Sequence, residues 1–359
     1  MKVTTKKNKR LLPSLLIVLI AVLGFLWLEQ HSSGTYTVET FRDGQTETRQ
    51  FESLAEARAY MERGEHRALI GPDGEVIDFT GAGIAVTPTD SITYLFKDEA
   101  LSERQSYVAG GTRLRLLERG HDHLRVNISG AVVFVPLANM TLYPDALVKK
   151  RGFYEVRDGD VYHTVEANDN LAGTFLVGPA DEERSDRFYT ENVRDVFASP
   201  YQFASIASTS PYSASELDRF LETRSDSPLI GKGAAFKDAE SKHGINALFL
   251  LAVAGHESSY GTSAIARDKF NLFGFKATDD DPSGNAATFA SFEASVDAAA
   301  RLFAEKYVTG SYARGPFPGN KQEGINIFYA SDPYWGEKVA GTMYLIDRTL
   351  GSAYYEQIK

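Results

Sequence analysis

The chain has 359 residues, 43% apolar and 24% charged, which suits two or three folded globular domains and excludes disordered, collagen-like and low-complexity architectures. Cysteine is absent, which removes disulfides, thiolate metal sites and a cysteine nucleophile. The formal charge is −10; Lys2, Lys6, Lys7, Lys9 and Arg10 put five cations in the first ten residues, leaving 33 cations against 48 acids, or −15, in the rest. So acidic a body argues against binding nucleic acid through its phosphates.

Residues 1–10 read as a basic cytoplasmic tail. Leu11 to Leu28 follows as eighteen residues without a charge, about 27 Å of helix at 1.5 Å per residue, close to the thickness of a bilayer core. The basic cluster before it predicts an N-in orientation. The run ends Trp27-Leu28-Glu29-Gln30-His31, without the small-x-small site of a cleaved signal peptide. The expectation is a single-pass signal-anchor in a cell membrane, with the rest of the chain extracytoplasmic. A buried core helix and a cleaved leader are the alternatives.

Residues 35–90 read as a small α+β unit. Tyr36 to Phe41 alternates like a strand and turns at Arg42-Asp43-Gly44-Gln45, Ser53 caps a helical stretch through Tyr60, and Gly71-Pro72-Asp73-Gly74 marks a further turn. Residues 91–198 read as a β-rich region and linker. Its strands are expected at Ile92–Phe96, Thr112–Leu117, His123–Ile128 and Ala131–Val135, the last two joined by a tight Ser129-Gly130 hairpin. His121 and His123 would share one strand face, but no third ligand follows, so a solvated face is the simpler reading. A hairpin around Asp158-Gly159-Asp160 leads into the acidic linker Asp181-Glu182-Glu183.

From residue 199 to 359 the pattern is helical. Ser215 is placed as the cap of one helix, Gly244 stops a second running from Ala234 to His243, and Asn246 caps a third, apolar nearly all round, from Ala247 to Glu257. Ser295 or Glu293 opens a fourth, and a fifth covers Lys338 to Leu350. A carboxylate delivered by the end of a buried helix is expected to be partly desolvated, and its pKa raised toward what a general acid needs at neutral pH. The alternative, a surface glutamate in a last helical turn, does not explain the polar and aromatic runs that follow, Ser258 to Ser263 and Asn271 to Lys276, which suit a sugar-binding cleft. His256-Glu257 lacks the second histidine of a zinc protease, since position 260 is Tyr260. Neither Gly-x-Ser-x-Gly nor a phosphate-binding glycine loop occurs.

The run Ala254-Gly255-His256-Glu257-Ser258-Ser259-Tyr260-Gly261, the block Asn271-Leu272-Phe273-Gly274-Phe275-Lys276 and the segment Tyr329-Ala330-Ser331-Asp332-Pro333-Tyr334-Trp335 together resemble the endo-β-N-acetylglucosaminidases of glycoside hydrolase family 73, bacterial peptidoglycan hydrolases. The resemblance covers about 195–350, and residues 91–145 look like an SH3-like module. The fold class it implies is multidomain: an N-terminal transmembrane helix, an α+β and SH3-like β-rich middle region, and a C-terminal, mainly α, lysozyme-like domain. It implies Glu257 as the catalytic acid, Tyr329 beside the reacting sugar, and Tyr260, Asn271, Phe273, Asp332 and Trp335 along the groove. For Trp335, stacking on a sugar face and packing in the core are equally open. The second acid that many relatives carry has no matching segment; Asp279, Asp280, Asp281 and Glu293 are the candidates. The partners implied are peptidoglycan glycan strands and the membrane, with no nucleic acid and a membrane-protein regulator unspecified; no metal or organic cofactor is called for. A lytic transglycosylase and a catalytically inactive, membrane-anchored wall-binding protein are the rival readings.

Overall fold

A computed structural model describes residues 34–167, 170–180, 188–189, 197–275 and 282–359. The Leu11–Leu28 segment, the Asp181-Glu182-Glu183 linker and the triplet Asp279–Asp281 lie outside the described residues. Among those described, no helix is long and apolar enough to cross a membrane and no cluster of three or more metal-ligating side chains occurs. The chain divides into two compact units, one holding residues up to 83 with 141–148, the other residues 84–140 with 149–359.

In the first unit β1 (Tyr36–Arg42), β2 (Gln45–Phe51), β3 (Arg67–Ile70) and β4 (Val76–Phe79) form an antiparallel sheet of order β2-β1-β3-β4. Asp43 (φ 50) and Gly44 (φ 75) are both left-handed, the backbone of a tight two-residue hairpin. Helix α1 (Leu54–Glu62), capped by Ser53, covers the sheet, burying Ala57 and Met61 against Tyr36, Val38 and Leu69.

The second unit begins with β5 (Gly83–Val86), most of which it holds, and continues with β6 (Thr93–Phe96), β7 (Arg104–Val108), β8 (Arg113–Arg119), β9 (His123–Ile128) and β10 (Ala131–Pro136). Within it the sheet runs β8-β9-β10-β6-β7. Ala131, Val133 and Val135 alternate inward, and left-handed Ser129 (φ 49) and Gly130 (φ 79) close the β9–β10 hairpin. His121 precedes β9 and is not on the strand; only His123 is, its ring edge against Phe134. After β11 (Thr141–Pro144), which belongs to the first unit, β12 (Phe153–Arg157), β13 (Asp160–Ala167), β14 (Asn170–Pro179) and β15 (Phe188–Tyr189) make a sheet of order β14-β13-β12-β15.

The helical domain of this unit comprises α2 (Ala214–Glu222), α3 (Gly233–His243), α4 (Ala247–Ser258), α5 (Ala264–Lys269), α6 (Phe292–Leu302, continuing as a π-turn to Val308) and α7 (Trp335–Leu350). Helix α3 starts one residue before Ala234, and three other starts differ from the sequence reading. Helix α2 begins behind Ser213, not Ser215, because Ser213 and Glu216 form a reciprocal capping box. Helix α6 begins behind Ser291, whose hydroxyl accepts from Ala294 N, upstream of both Glu293 and Ser295. Helix α7 starts three residues early, at Trp335, with no side-chain cap.

Helix α4 is the axis of the core. Ala247 to Ala254 have no exposure, and Asn246 Oδ1 accepts from Leu248 N (2.9 Å) and Phe249 N (3.3 Å) at its start. Helix α7 packs beside α4 and is held from its other side by the β12–β15 sheet. His163 Nδ1 lies 2.7 Å from Glu337 Oε2, Tyr154 donates to Glu337 Oε1 (2.8 Å), and Asp160 accepts from Tyr344 (2.7 Å) and pairs with Arg348. Gly341 makes the approach possible: a Cβ there would stand 1.8 Å from the backbone oxygen of Leu176 in β14. Gly341→Ala is therefore expected to destabilise the unit by about 1–3 kcal/mol, read as a lower denaturant midpoint.

Candidate active site

The site is built from the C-terminal end of α4. Ser258 Oγ donates to Ala254 O (2.7 Å) and accepts from Gly261 N (3.1 Å), and Ser259, Tyr260 and Gly261 are all left-handed, so the chain leaves the helix sharply. Glu257 is left facing a groove of about 560 Å³. Its walls include His256, Phe273, Tyr329, Asp332 and Trp335 from the helical domain, with Ile92 and Tyr107 from the β6–β7 sheet.

Glu257 Oε1 accepts from Trp335 Nε1 at 2.9 Å. Burial pushes the Glu257 carboxyl above its ordinary 4.5; the indole N–H pulls it back by stabilising the ionised form, and the negative charge of Asp332 pushes it up again. His256, the next residue back, is drawn below 6.5 by burial and by Lys338, against the opposing charge of Asp332, which favours neutral imidazole. Asp332 is tied down by two bonds, accepting from Tyr334 N (2.9 Å) and from Lys338 Nζ (2.5 Å).

Tyr329 lines the same groove as Glu257. Its ring lies 4.6 Å from Trp335 and 5.3 Å from Phe303, centroid to centroid, and its hydroxyl is 3.5 Å from Phe273 O. Desolvation and the Glu257 charge raise its phenol well above 10, so it stays neutral and keeps its hydroxyl proton. Trp335 itself is 2% exposed. It is a core residue that reaches the site through its N–H, and offers no open face for a sugar.

Several residues placed on the groove from sequence sit elsewhere. Tyr260 packs beneath α4 against Phe220, in space that exists because Gly255 has no side chain: a Cβ there would stand 2.5 Å from the Tyr260 ring. Asn271 is buried, its amide donating to Phe275 O (2.9 Å) and Ala287 O (3.0 Å) and accepting from Phe275 N (3.0 Å), which shapes the turn bearing Phe273 and Gly274. Glu293 pairs with Lys232 of the neighbouring α3 segment (2.5 Å), is held at about 2, and is not in the groove wall. Of the candidates for a second acid, the three aspartates fall outside the described residues. His256 and Tyr107 were not singled out from sequence: the first was visible beside Glu257, but nothing local marks Tyr107, which meets the groove across more than 200 residues of chain.

A carboxylic acid open to an aromatic-walled groove, its pKa raised by desolvation, with a neutral phenol in the same wall, is the equipment of a glycoside hydrolase, and comparison with known proteins puts the domain in that class. Residues 233–348 match the glucosaminidase family, described as mannosyl-glycoprotein endo-beta-N-acetylglucosaminidase, so the chain carries a glucosaminidase-family domain. Two curated relatives, from Streptococcus pneumoniae serotype 4 and strain R6, are both named "Putative endo-beta-N-acetylglucosaminidase" and are each 34% identical over 293 residues, 77% of this chain. The chain spans only 42% and 40% of their lengths. Among solved structures, a catalytic mutant of Staphylococcus aureus autolysin E in complex with the disaccharide NAG-NAM is 20% identical, covering 49% of this chain and 86% of that one, with a TM-score of 0.37.

Trp335→Phe removes the one hydrogen bond among the described residues that favours ionised Glu257. The carboxyl then stays protonated to higher pH, and the alkaline limb of the kcat profile is expected to move up, with kcat itself down on the order of tenfold. Rate–pH profiles of the two proteins check both effects.

Proposed function

We propose that the chain is a peptidoglycan hydrolase that cleaves the β-1,4 bond between N-acetylglucosamine and N-acetylmuramic acid in cell-wall glycan strands. The observation that carries this reading is Glu257: a carboxylic acid where a helix buried from Ala247 to Ala254 reaches an open groove, its pKa raised by desolvation. Protonated Glu257 delivers its proton to the glycosidic oxygen as the bond to the leaving sugar breaks. The neutral Tyr329 hydroxyl lies beside the reacting ring in this reading. Among the described residues Asp332 is the second carboxylate of the groove wall, and its charge adds to the desolvation that raises Glu257. The acetamido oxygen of the substrate can attack the anomeric carbon, which makes a second protein nucleophile unnecessary in this scheme.

Leu11–Leu28 anchors the chain in the membrane in this reading, with both described units on the extracytoplasmic side and the SH3-like β-region carried next to the hydrolase domain. Cutting is then confined to wall close to the membrane.

Mass spectrometry of purified peptidoglycan treated with the chain tests the proposal. New reducing-end N-acetylglucosamine is expected, and Glu257→Gln should reduce it by roughly 10²–10⁴-fold. Anhydromuramic ends would assign the chain to the lytic transglycosylases. Pelleting with the wall and no products would make it a wall-binding protein.

A further inference from the structure

The segment Asn326–Ser331 carries Tyr329, and its backbone oxygens are satisfied almost entirely from one side. Asn326 O and Ala330 O both accept from the ammonium of Lys321, at 2.9 and 2.6 Å. Ile327 O accepts from Ser106 Oγ (2.7 Å), Phe328 O from the Tyr107 hydroxyl (3.3 Å), and Ser331 O from Ala109 N (3.1 Å). Ser106 and Tyr107 belong to β7, and Ala109 directly follows it. Lys321 is itself tied to that strand. Its carbonyl accepts from Gln105 Nε2 (3.0 Å), and its ammonium lies 5.2 Å from the centre of the Tyr107 ring.

Lys321 has no solvent exposure. Burial draws its ammonium down to about 7, with Asp332 pulling the other way. Burying a cation is costly unless its donors are used, and an apolar side chain of similar size would fill the same space without that cost. What an apolar residue cannot do is bond two carbonyls that lie four residues apart, Asn326 in the short 3-10 turn Ile325–Ile327 and Ala330 beyond its end. Those two carbonyls bracket Tyr329, the residue whose ring meets Trp335, which in turn bonds Glu257.

We propose that Lys321 is a positioning residue for the reaction: together with β7 it fixes the backbone around Tyr329, so that the β6–β7 sheet is a structural part of the catalytic centre and Lys321 is the pin that joins the two. This rests on the reading of Glu257 as the acid and goes further, assigning a role to a residue that lies outside the groove.

Two measurements on the full chain test it: hydrogen exchange of peptides covering 326–331, and kcat and KM on soluble peptidoglycan fragments. The variants are Lys321→Met, which keeps the length and removes the donors, and Ser106→Ala, which removes one donor from β7 and leaves the groove wall intact. Both are expected to speed exchange in 326–331, at least tenfold for Lys321→Met and severalfold for Ser106→Ala, with exchange in α4 unchanged. The same rank order is expected in lowered kcat, with KM within twofold of the parent. Unchanged exchange in 326–331 in both variants would overturn the proposal, and so would unchanged kcat or a raised KM at unchanged kcat. If Lys321→Met does not fold, Ser106→Ala decides alone by the same criteria. If the parent chain releases no products, the hydrolase reading fails, while the exchange data still decide whether Lys321 and β7 hold the Tyr329 segment.

Discussion

Eight consecutive residues of α4, Ala247 to Ala254, are sealed from water on every side, and the remaining architecture of the helical domain follows from where that helix ends. Such a helix has no polar face to turn outward, so other elements must surround it. Helices α3, α6 and α7 do so. The first ionisable side chains after the sealed stretch, His256 and Glu257, then emerge where packing stops and a groove begins. Desolvation is the largest cause of the shift in each, and both move toward their neutral forms.

Helix α7 is the second support. It begins at Trp335, whose indole N–H reaches Glu257, and its first turn contains Glu337, buried between His163 and Tyr154 of the β12–β13 hairpin. Removing any one of these partners would leave a buried polar group unsatisfied, so the network fixes the register of α7 more than it adds stability. Further along, Asp347 accepts from Tyr201 (2.5 Å) and Tyr212 and from the amides of Tyr354 and Tyr355 (both 2.9 Å), pinning the C-terminal end of the same helix. The position of the indole against the acid is thus set by contacts at both ends of a sixteen-residue helix.

Local chemistry made much of this legible from sequence. The Asn246 cap, the Gly244 stop and the unbroken apolar run that follows placed α4 almost residue by residue, and its terminal glutamate stood out because it is the only carboxylate in the run. The Ser129-Gly130 hairpin was likewise visible, as only a tight turn with two left-handed residues fits there. Helix starts were less legible where two serines compete: Ser213 wins over Ser215 because it alone has a glutamate three residues on. The groove wall was legible only in part. Tyr260 and Asn271 have the residue types of a sugar site, yet one fills the space beside Gly255 and the other folds a turn, roles decided by tertiary neighbours. Tyr107 and Lys321 carried no signal at all, since their meeting depends on how a β-strand packs on a segment more than 200 residues away.

Desolvation where α4 reaches the groove raises the Glu257 carboxyl above the ordinary 4.5 of a glutamic acid. Its titration can be followed directly by carboxyl infrared absorption, taking the difference between the parent chain and Glu257→Gln across pH 3 to 8. The account predicts a difference band of protonated carboxyl that persists above pH 4.5 and bleaches at higher pH. A band lost at or below pH 4.5 would show an ordinary ionised glutamate and contradict it.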